Sequence, residues 1–318
     1  MATSTLTIRR ADTGDVPRAL AVATAALGWD PDEPNEALFR WKHLDNPAGE
    51  SPMWVAVDGD EVVGFRTMLR WRFAGAHGSS IDAVRAVDTA TDPAHQRRGI
   101  FRSLTTAALE ALHDEGVGFV FNTPNDRSRP GYLGMGWRDE GRLAVRVRVS
   151  SPRSLPGMVR ARVPAARWSE PVSFGDPIET LADDLSDLLR RLPPTDGLAT
   201  DRTVDHLRWR YGFEPLRYRV VRTDGGAAIV RVRRRGPTRE AVLAEVLSPD
   251  RRTTRELIAR VVRHAGVDHV LTLDRAPHPA SWLPSVPGLG PRLTVRDLRE
   301  TAPHRRDLRF ALGDIELF

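Results

Sequence analysis

The chain contains no cysteine. That excludes a disulfide framework, a thiolate metal site and a cysteine nucleophile. Lysine is almost absent too: Lys42 is the single lysine among 47 basic residues, and all the others are arginines. The net charge of +5 is a small excess over 42 acidic residues. The arginines are spread along the chain, with short runs at Arg97-Arg98 and Arg233-Arg234-Arg235. The skew looks like coding bias, and nucleic acid is not the expected partner. No apolar run approaches the roughly 18 residues of a membrane span, so no membrane partner is expected. The start of the chain, Met1 to Ile8, lacks a basic region followed by an apolar core. A cytoplasmic protein is therefore expected. The nine histidines show no metal spacing with carboxylates, and no metal is expected. Ser103 and Ser128 lack a histidine–carboxylate signature, which speaks against a serine hydrolase.

What is present is enough for two ordinary domains: 318 residues, 41% hydrophobic and 28% charged. Thr5–Arg9 alternates as a strand. Asp15–Leu27 and Asn35–His43 have helical spacing. Trp54–Val57 and Glu61–Phe65 flank Asp58-Gly59-Asp60, a strong hairpin signal. Ile81–Thr91 is a strand that ends before Pro93. A helix then opens near Arg98 or Gly99, with Ile100, Leu104, Ala108 and Leu112 on one face. Phe119–Phe121 reads as a buried strand, Ser128–Met135 as a brief helix, and Leu143–Val149 as the strand that closes the unit. Residues 151–169 carry several prolines and read as a linker, followed by a helix over Ile178–Leu192.

The pattern then returns in the same order. Leu207-Arg-Trp-Arg-Tyr211 echoes Phe39-Arg-Trp-Lys-His43. Tyr218–Val232 echoes the first hairpin, and Ala241–Leu247 with a helix over Thr254–His264 echoes the strand and helix around Pro93. Gly266–Leu273 echoes Gly116–Thr123, and Trp282–Gly290 echoes Tyr132–Gly136. Six echoes in one order read as a duplication. They divide the chain into 1–150, the linker 151–169, and 170–318. The copies differ at one chemical point: Gln96-Arg-Arg-Gly99 in the first is Asp250-Arg-Arg-Thr253 in the second. A basic loop with a glycine that opens a helix is suited to phosphate, because helix N-terminal amides are unpaired and the dipole is positive there.

The first copy resembles the GCN5-related N-acetyltransferase (GNAT) superfamily. Gln96, Arg98 and Gly99 fit the family's phosphate loop, whereas Phe101 is bulkier than the small residue usual there. Asn125, Ser128, Tyr132, Gly136 and Trp137 match the spacing of its second signature. The arrangement is similar to the tandem GNAT branch of the mycobacterial enhanced-intracellular-survival aminoglycoside acetyltransferases, with a degenerate second copy. The resemblance implies an α/β (α+β) fold with two mixed central sheets flanked by helices. It implies acetyl-CoA or a related acyl-CoA as co-substrate. The loop and first helical residues Gln96, Arg97, Arg98, Gly99, Ile100, Phe101 and Arg102 would hold the pyrophosphate. Thr89, Ala90 and Thr91 would pair with the pantetheine arm, with Asn125 and Ser128 nearby.

Tyr132 stands where the family places its general acid; a phenol can protonate a departing thiolate. The bland reading is a tyrosine packed under the arm. Asp88 lies close to the family's usual glutamate base, and its alternative is a strand-end carboxylate paired with Arg85 or Arg98. Asp82 is a second candidate base. Asn125 either bonds the arm or caps the short helix. His95 is solvent-facing or touches phosphate, and Asp30, Asp32 and Glu33 either meet a cationic amine or form a solvated loop. The expected activity is acyl transfer to a primary amine of a small molecule, with the second copy walling the acceptor cleft or building a homodimer. The alternative is a non-catalytic CoA-sensing or protein-binding module that retains the fold.

Overall fold

The computed structural model describes residues 6–75, 78–161, 163–181, 184–273, 290–299 and 303–316. The first half contains β1 (Leu6–Arg10), α1 (Val16–Leu27), α2 (Asn35–His43), β2 (Met53–Asp58), β3 (Glu61–Ala74) and β4 (Ser80–Thr91). It continues with α3 (Ile100–Asp114), β5 (Phe119–Asn122), α4 (Arg129–Leu133), β6 (Arg138–Arg142) and β7 (Val145–Val149). Then come α5 (Leu155–Arg160), β8 (Asp176–Pro177), α6 (Leu185–Arg191), β9 (Leu198–Thr200), α7 (Val204–Tyr211) and β10 (Arg219–Thr223). The last elements are β11 (Gly226–Arg235), β12 (Thr238–Leu247), α8 (Arg251–His264), β13 (His269–Leu273), β14 (Arg292–Asp297) and β15 (Leu308–Arg309).

Two mixed sheets result, flanked by helices. The first runs β1-β2-β3-β4-β5-β14-β6, with β9 beside the end of β3 and β15 on β9; the second runs β7-β13-β12-β11-β10-β8. The hairpin turn has Gly59 at φ 64°, as the Asp-Gly signal requires. Each sheet repeats one pattern: an antiparallel run, β2-β3-β4 or β10-β11-β12, then a parallel partner, β5 or β13, reached through a crossover helix. Helix α3 buries Ile100, Leu104, Ala108 and Leu112 against the first sheet, the stripe its spacing predicts. In the second sheet α8 does the same with Leu257, Ile258 and Val261.

The sheets are interlocked. The Leu143–Val149 segment was expected to close the first unit. The structure instead forms β7, which pairs antiparallel with β13 of the second sheet. In exchange, β14 from the far end of the chain lies between β5 and β6 of the first sheet. Strands β6 and β14 were not expected from the sequence. The helix expected over Ile178–Leu192 is broken into a 3-10 turn, Ile178–Leu181, and α6. The proline-rich stretch 151–169 contains the short helix α5. The echo at Trp282–Gly290 lies outside the described residues except for Gly290.

Where the halves meet, the echoed tryptophans face each other. Trp41 Nε1 donates to the Trp209 carbonyl and Trp209 Nε1 to the Trp41 carbonyl, both at 2.8 Å. Their rings stack 5.2 Å apart. One apolar cluster runs across this contact, from Leu69, Trp71 and Phe121 to Leu207, Tyr218 and Ile229. The last described segment threads the same region. Arg210 Nε donates to the Gly313 carbonyl at 2.8 Å, Arg85 Nη2 to the Ile315 carbonyl at 3.2 Å, and Arg231 Nε to the Glu316 carboxylate at 3.2 Å.

Because β14 completes the first sheet, a charge on its fully buried Val295 should unfold both halves together. Val295→Asp is expected to lower stability by about 3 kcal/mol or more. Urea unfolding followed by tryptophan fluorescence checks this, and a loss under 1 kcal/mol (order of magnitude,) would contradict the interlocked arrangement.

Candidate active site

Strand β4 carries the irregularity on which the site is built. Arg66 of β3 pairs with Thr89 and Thr67 with Val87, so Asp88 is an extra residue on β4. This is a β-bulge, and it holds Asp88 at φ 40°. Parallel pairing of β4 with β5 runs from Ala83↔Phe119 to Arg85↔Phe121. Beyond it β5 ends at Asn122 while β4 continues to Thr91. Over 86–91 the β5-facing edge of β4 therefore has no strand partner among the described residues, while Thr89, Ala90 and Thr91 pair with β3 on the other side. Gly64 lets α3 close onto this part of the sheet: a Cβ there would lie 2.8 Å from Ile100 Cγ2.

The loop before α3 has two residues in the left-handed region, Arg97 at φ 63° and Gly99 at φ 78°. Gly99 is the N-cap and offers no side chain to the helix amides. The space beside it is open, with no heavy atom within 4 Å of where a Cβ would stand. Gln96, Arg97, Arg98, Gly99 and Arg102 are exposed and Ile100 is buried. Arg98 is committed to the hairpin turn through Asp58, at 2.6 Å. His95 is partly buried between Asp92 at 3.1 Å and Asp58 at 3.6 Å rather than facing solvent. At the same place in the second sheet, Asp250 accepts from the Thr253 amide at 2.8 Å and caps α8 with its own carboxylate. One helix start is open to an anion and the other already holds one.

Helix α4 places Tyr132 against this opening. Asn125 holds the turn that leads into the helix, its Oδ1 accepting from the Ser128 amide at 2.9 Å and the Ser128 hydroxyl at 3.0 Å. Phe101 fills the space above Gly131, whose Cβ position lies 3.0 Å from its ring, and meets Tyr132 edge-on at 5.3 Å. The residue that departs from the family pattern thus forms one wall of the tyrosine's pocket. Arg66 forms another. It is fully buried, and its Nη2 donates to the Tyr132 hydroxyl at 2.8 Å. Its guanidinium lies 5.2 Å from the Tyr132 ring and 5.5 Å from the Phe101 ring. Its Nε and Nη1 are buried with no protein acceptor, and no carboxylate pairs with it among the described residues.

Asp88 belongs to a second cluster on the α2 face. It forms an ion pair with Lys42 and accepts from His43 Nε2 at 2.8 Å. It does not pair with Arg85 or Arg98. His43 Nδ1 lies 2.9 Å from the Ser51 hydroxyl. Burial pushes the Asp88 carboxyl up, but Lys42 and His43 outweigh it and hold it well below the usual carboxylate range. Burial pushes His43 down, against the pull of Asp88. The ring is therefore neutral at neutral pH, with its Nε2 hydrogen on Asp88. Asp82 pairs with Arg72 at 2.7 Å on the exposed surface, away from this cluster. Asp30, Asp32 and Glu33 are on an exposed loop.

Sequence reasoning missed Arg66, Lys42 and His43. Lys42 had a signal: the one lysine in an arginine-rich chain is a position where coding bias did not prevail. Arg66 had none, because an arginine within a strand gives no sign that its charge will be left unpaired.

With this geometry in place, comparison with known proteins is informative. The family model of an acetyltransferase (GNAT) domain matches residues 7–139. That span holds the bulge, the open helix start and Tyr132. Residues 7–139 are a GNAT domain. No curated protein sequence matches the chain. Among solved structures, Eis1 from Mycobacterium abscessus is similar over 92% of this chain and 74% of its own, with a TM-score of 0.58 at 16% identity. A probable N-acyltransferase from Enterococcus faecalis V583 covers 93% and 73%, with a TM-score of 0.62 at 10% identity. A GCN5-related N-acetyltransferase from Kribbella flavida covers 93% and 71%, with a TM-score of 0.61 at 14% identity. These likenesses are of fold, and they extend beyond the GNAT domain over both sheets. Among the described residues no group of histidines and carboxylates could hold a metal, and no helix is long and apolar enough to cross a membrane.

Two outcomes follow for the Asp88 cluster. Lys42→Met strands a mostly buried carboxylate and should cost about 3 kcal/mol at pH 7, read by chemical denaturation. His43 takes up its proton less readily in the folded chain, so stability should fall as pH drops below the unfolded value of about 6.5. His206, pushed down to about 4 by burial, acts in the same direction. The Asp88 contribution is present above about pH 4 and is lost below it. His43→Gln should flatten the decline that begins below about pH 6.5; an unchanged slope would show that His43 does not contribute.

Proposed function

We propose that this protein is an acyl-CoA-dependent N-acyltransferase that transfers acetyl from acetyl-CoA to a primary amine of a small molecule, directly within a ternary complex. The observation that carries this reading is the open edge of β4 ending at an uncapped helix start, with Tyr132 at its side. The fit is chemical as well as spatial. Amides at the start of α3, with Arg97 and Arg102 exposed nearby, suit a diphosphate. An extended arm bearing amides suits a free strand edge such as that of Thr89, Ala90 and Thr91. Acetyl-CoA supplies an activated acyl group and a thiol leaving group. The chain supplies Tyr132 as proton donor to the leaving sulfur.

Asp88 is the proposed base on the opposite face. Its ion pair with Lys42 makes it a weak base by itself, and the adjoining His43 extends the path for the amine's proton. Asn125 and Ser128 serve chiefly by fixing α4, and so Tyr132. The second sheet is proposed to wall the acceptor cleft rather than to bind acyl-CoA itself, since Asp250 caps α8 at the place where its own phosphate site would be.

Isothermal titration with acetyl-CoA is the direct test, and absence of binding up to millimolar concentration (order of magnitude,) would overturn the reading. Gly99→Val should weaken acetyl-CoA by about tenfold or more, since a β-branched residue is strained at positive φ and crowds the amides. Tyr132→Phe should lower turnover by about 100-fold with affinity nearly unchanged. Binding without turnover over a broad amine panel would instead favour a CoA-sensing module.

A further inference from the structure

The Arg66 side chain is a buried cation without a counter-charge. Three of its surroundings are known: the Tyr132 hydroxyl on Nη2 at 2.8 Å, the Tyr132 ring and the Phe101 ring. None of these is a carboxylate. A guanidinium has no acceptor atom, so the Tyr132 hydroxyl hydrogen cannot be returned to it. No other protein group takes that hydrogen among the described residues. Arg66 therefore occupies the phenol oxygen from one side and leaves its proton directed elsewhere. An uncompensated buried ion is costly, so an anion formed beside it is stabilised by pairing with it. The one group in contact that can become an anion is the Tyr132 phenol.

We propose that Arg66 is the positioning residue of acyl transfer: it orients the Tyr132 hydroxyl as a donor and supplies the positive charge that stabilises the phenolate left after donation. This rests on the acyltransferase reading above. The amine nitrogen bonds to the acyl carbon and gives up its proton through Asp88 to solvent, and the carbon–sulfur bond breaks with its electron pair on sulfur. The sulfur takes the Tyr132 proton. The phenolate, paired with Arg66, then recovers a proton from solvent. Arg66 is fully buried, so it acts through Tyr132 and not on the substrate.

The test is a double-mutant cycle of Arg66→Met with Tyr132→Phe, followed by acetyl-CoA affinity and by thiol release with a panel of amines. Methionine keeps an apolar stem against Phe101 and Tyr132. Replacing a buried ion by an apolar residue is often neutral for stability, and acetyl-CoA binding reports that the fold is retained. Arg66→Met should lower kcat by about 100-fold with acetyl-CoA affinity within about threefold. In the Tyr132→Phe background the same change should cost less than about threefold, because its partner is already gone. Arg66→Lys, which keeps the charge but not the planar donor geometry, should lose about tenfold in the Tyr132 background only. Equal losses in both backgrounds, or full turnover in Arg66→Met, would overturn the proposal. If the methionine variant does not fold, the lysine variant runs the same cycle; an equal cost with and without the Tyr132 hydroxyl, including none, overturns it. Wild-type protein that transfers no acyl group overturns the functional reading itself, and this is seen before any variant is compared.

Discussion

The site depends on where β4 stops pairing with β5. Up to Arg85 and Phe121 the two strands are hydrogen-bonded in parallel; beyond, β4 continues alone on that side. The bulge at Asp88 accompanies this parting and turns one carboxylate toward α2. Both halves of the proposed chemistry follow from that geometry. Tyr132, Phe101 and Arg66 gather on the α3 and α4 face, while Asp88, Lys42 and His43 gather on the α2 face. The gap opens because β5 ends at Asn122 while β4 runs on to Thr91. The bulge costs one unpaired residue and a non-glycine residue at positive φ, a strain that persists where the surrounding structure holds it.

The two clusters treat charge in opposite ways. Asp88 is over-compensated, with a lysine and a histidine on one carboxylate, so it stays ionised. Arg66 is uncompensated. Burying a charge without a partner costs several kcal/mol after relaxation, and a paired charge recovers most of that. The stability of the domain is therefore drawn from its apolar stripes and from the interlocking of the sheets, and the arginine is carried at their expense. A chain with 47 basic residues has many surface arginines but only a few fully buried ones. Arg85, Arg210 and Arg231 all hold backbone or carboxylate atoms of the last described segment. Arg66 is the exception, and it is the one touching a candidate catalytic group.

Interlocking also explains why the second sheet persists without a phosphate-ready helix start. It holds β7, its α7 meets α2 through the reciprocal Trp41 and Trp209 hydrogen bonds, and the far end of the chain returns β14 to the first sheet. The second half is thus part of the first sheet's structure whatever it binds. At the start of α8 the Asp250 carboxylate caps the helix from within the chain.

Local chemistry was legible in the residues. The Asp58-Gly59-Asp60 turn, the apolar stripe of α3, the glycine that opens it, the placement of Tyr132 on a short helix and the echo of Trp41 in Trp209 depend on a few neighbouring residues. Turn preference and periodicity act at that range. What only the tertiary structure decided was partnership. Alternation marks Val145–Val149 as a strand, but it does not say which sheet receives it. Arg292–Asp297 pairs with β5 across most of the chain's length, a contact that no local pattern encodes. The same limit hid the site's electrostatics. His43 and Arg66 are ordinary residues in their own segments, and even Lys42, the one lysine of the chain, gives no hint of its partner; folding places two of the three on one carboxylate and leaves the third with none.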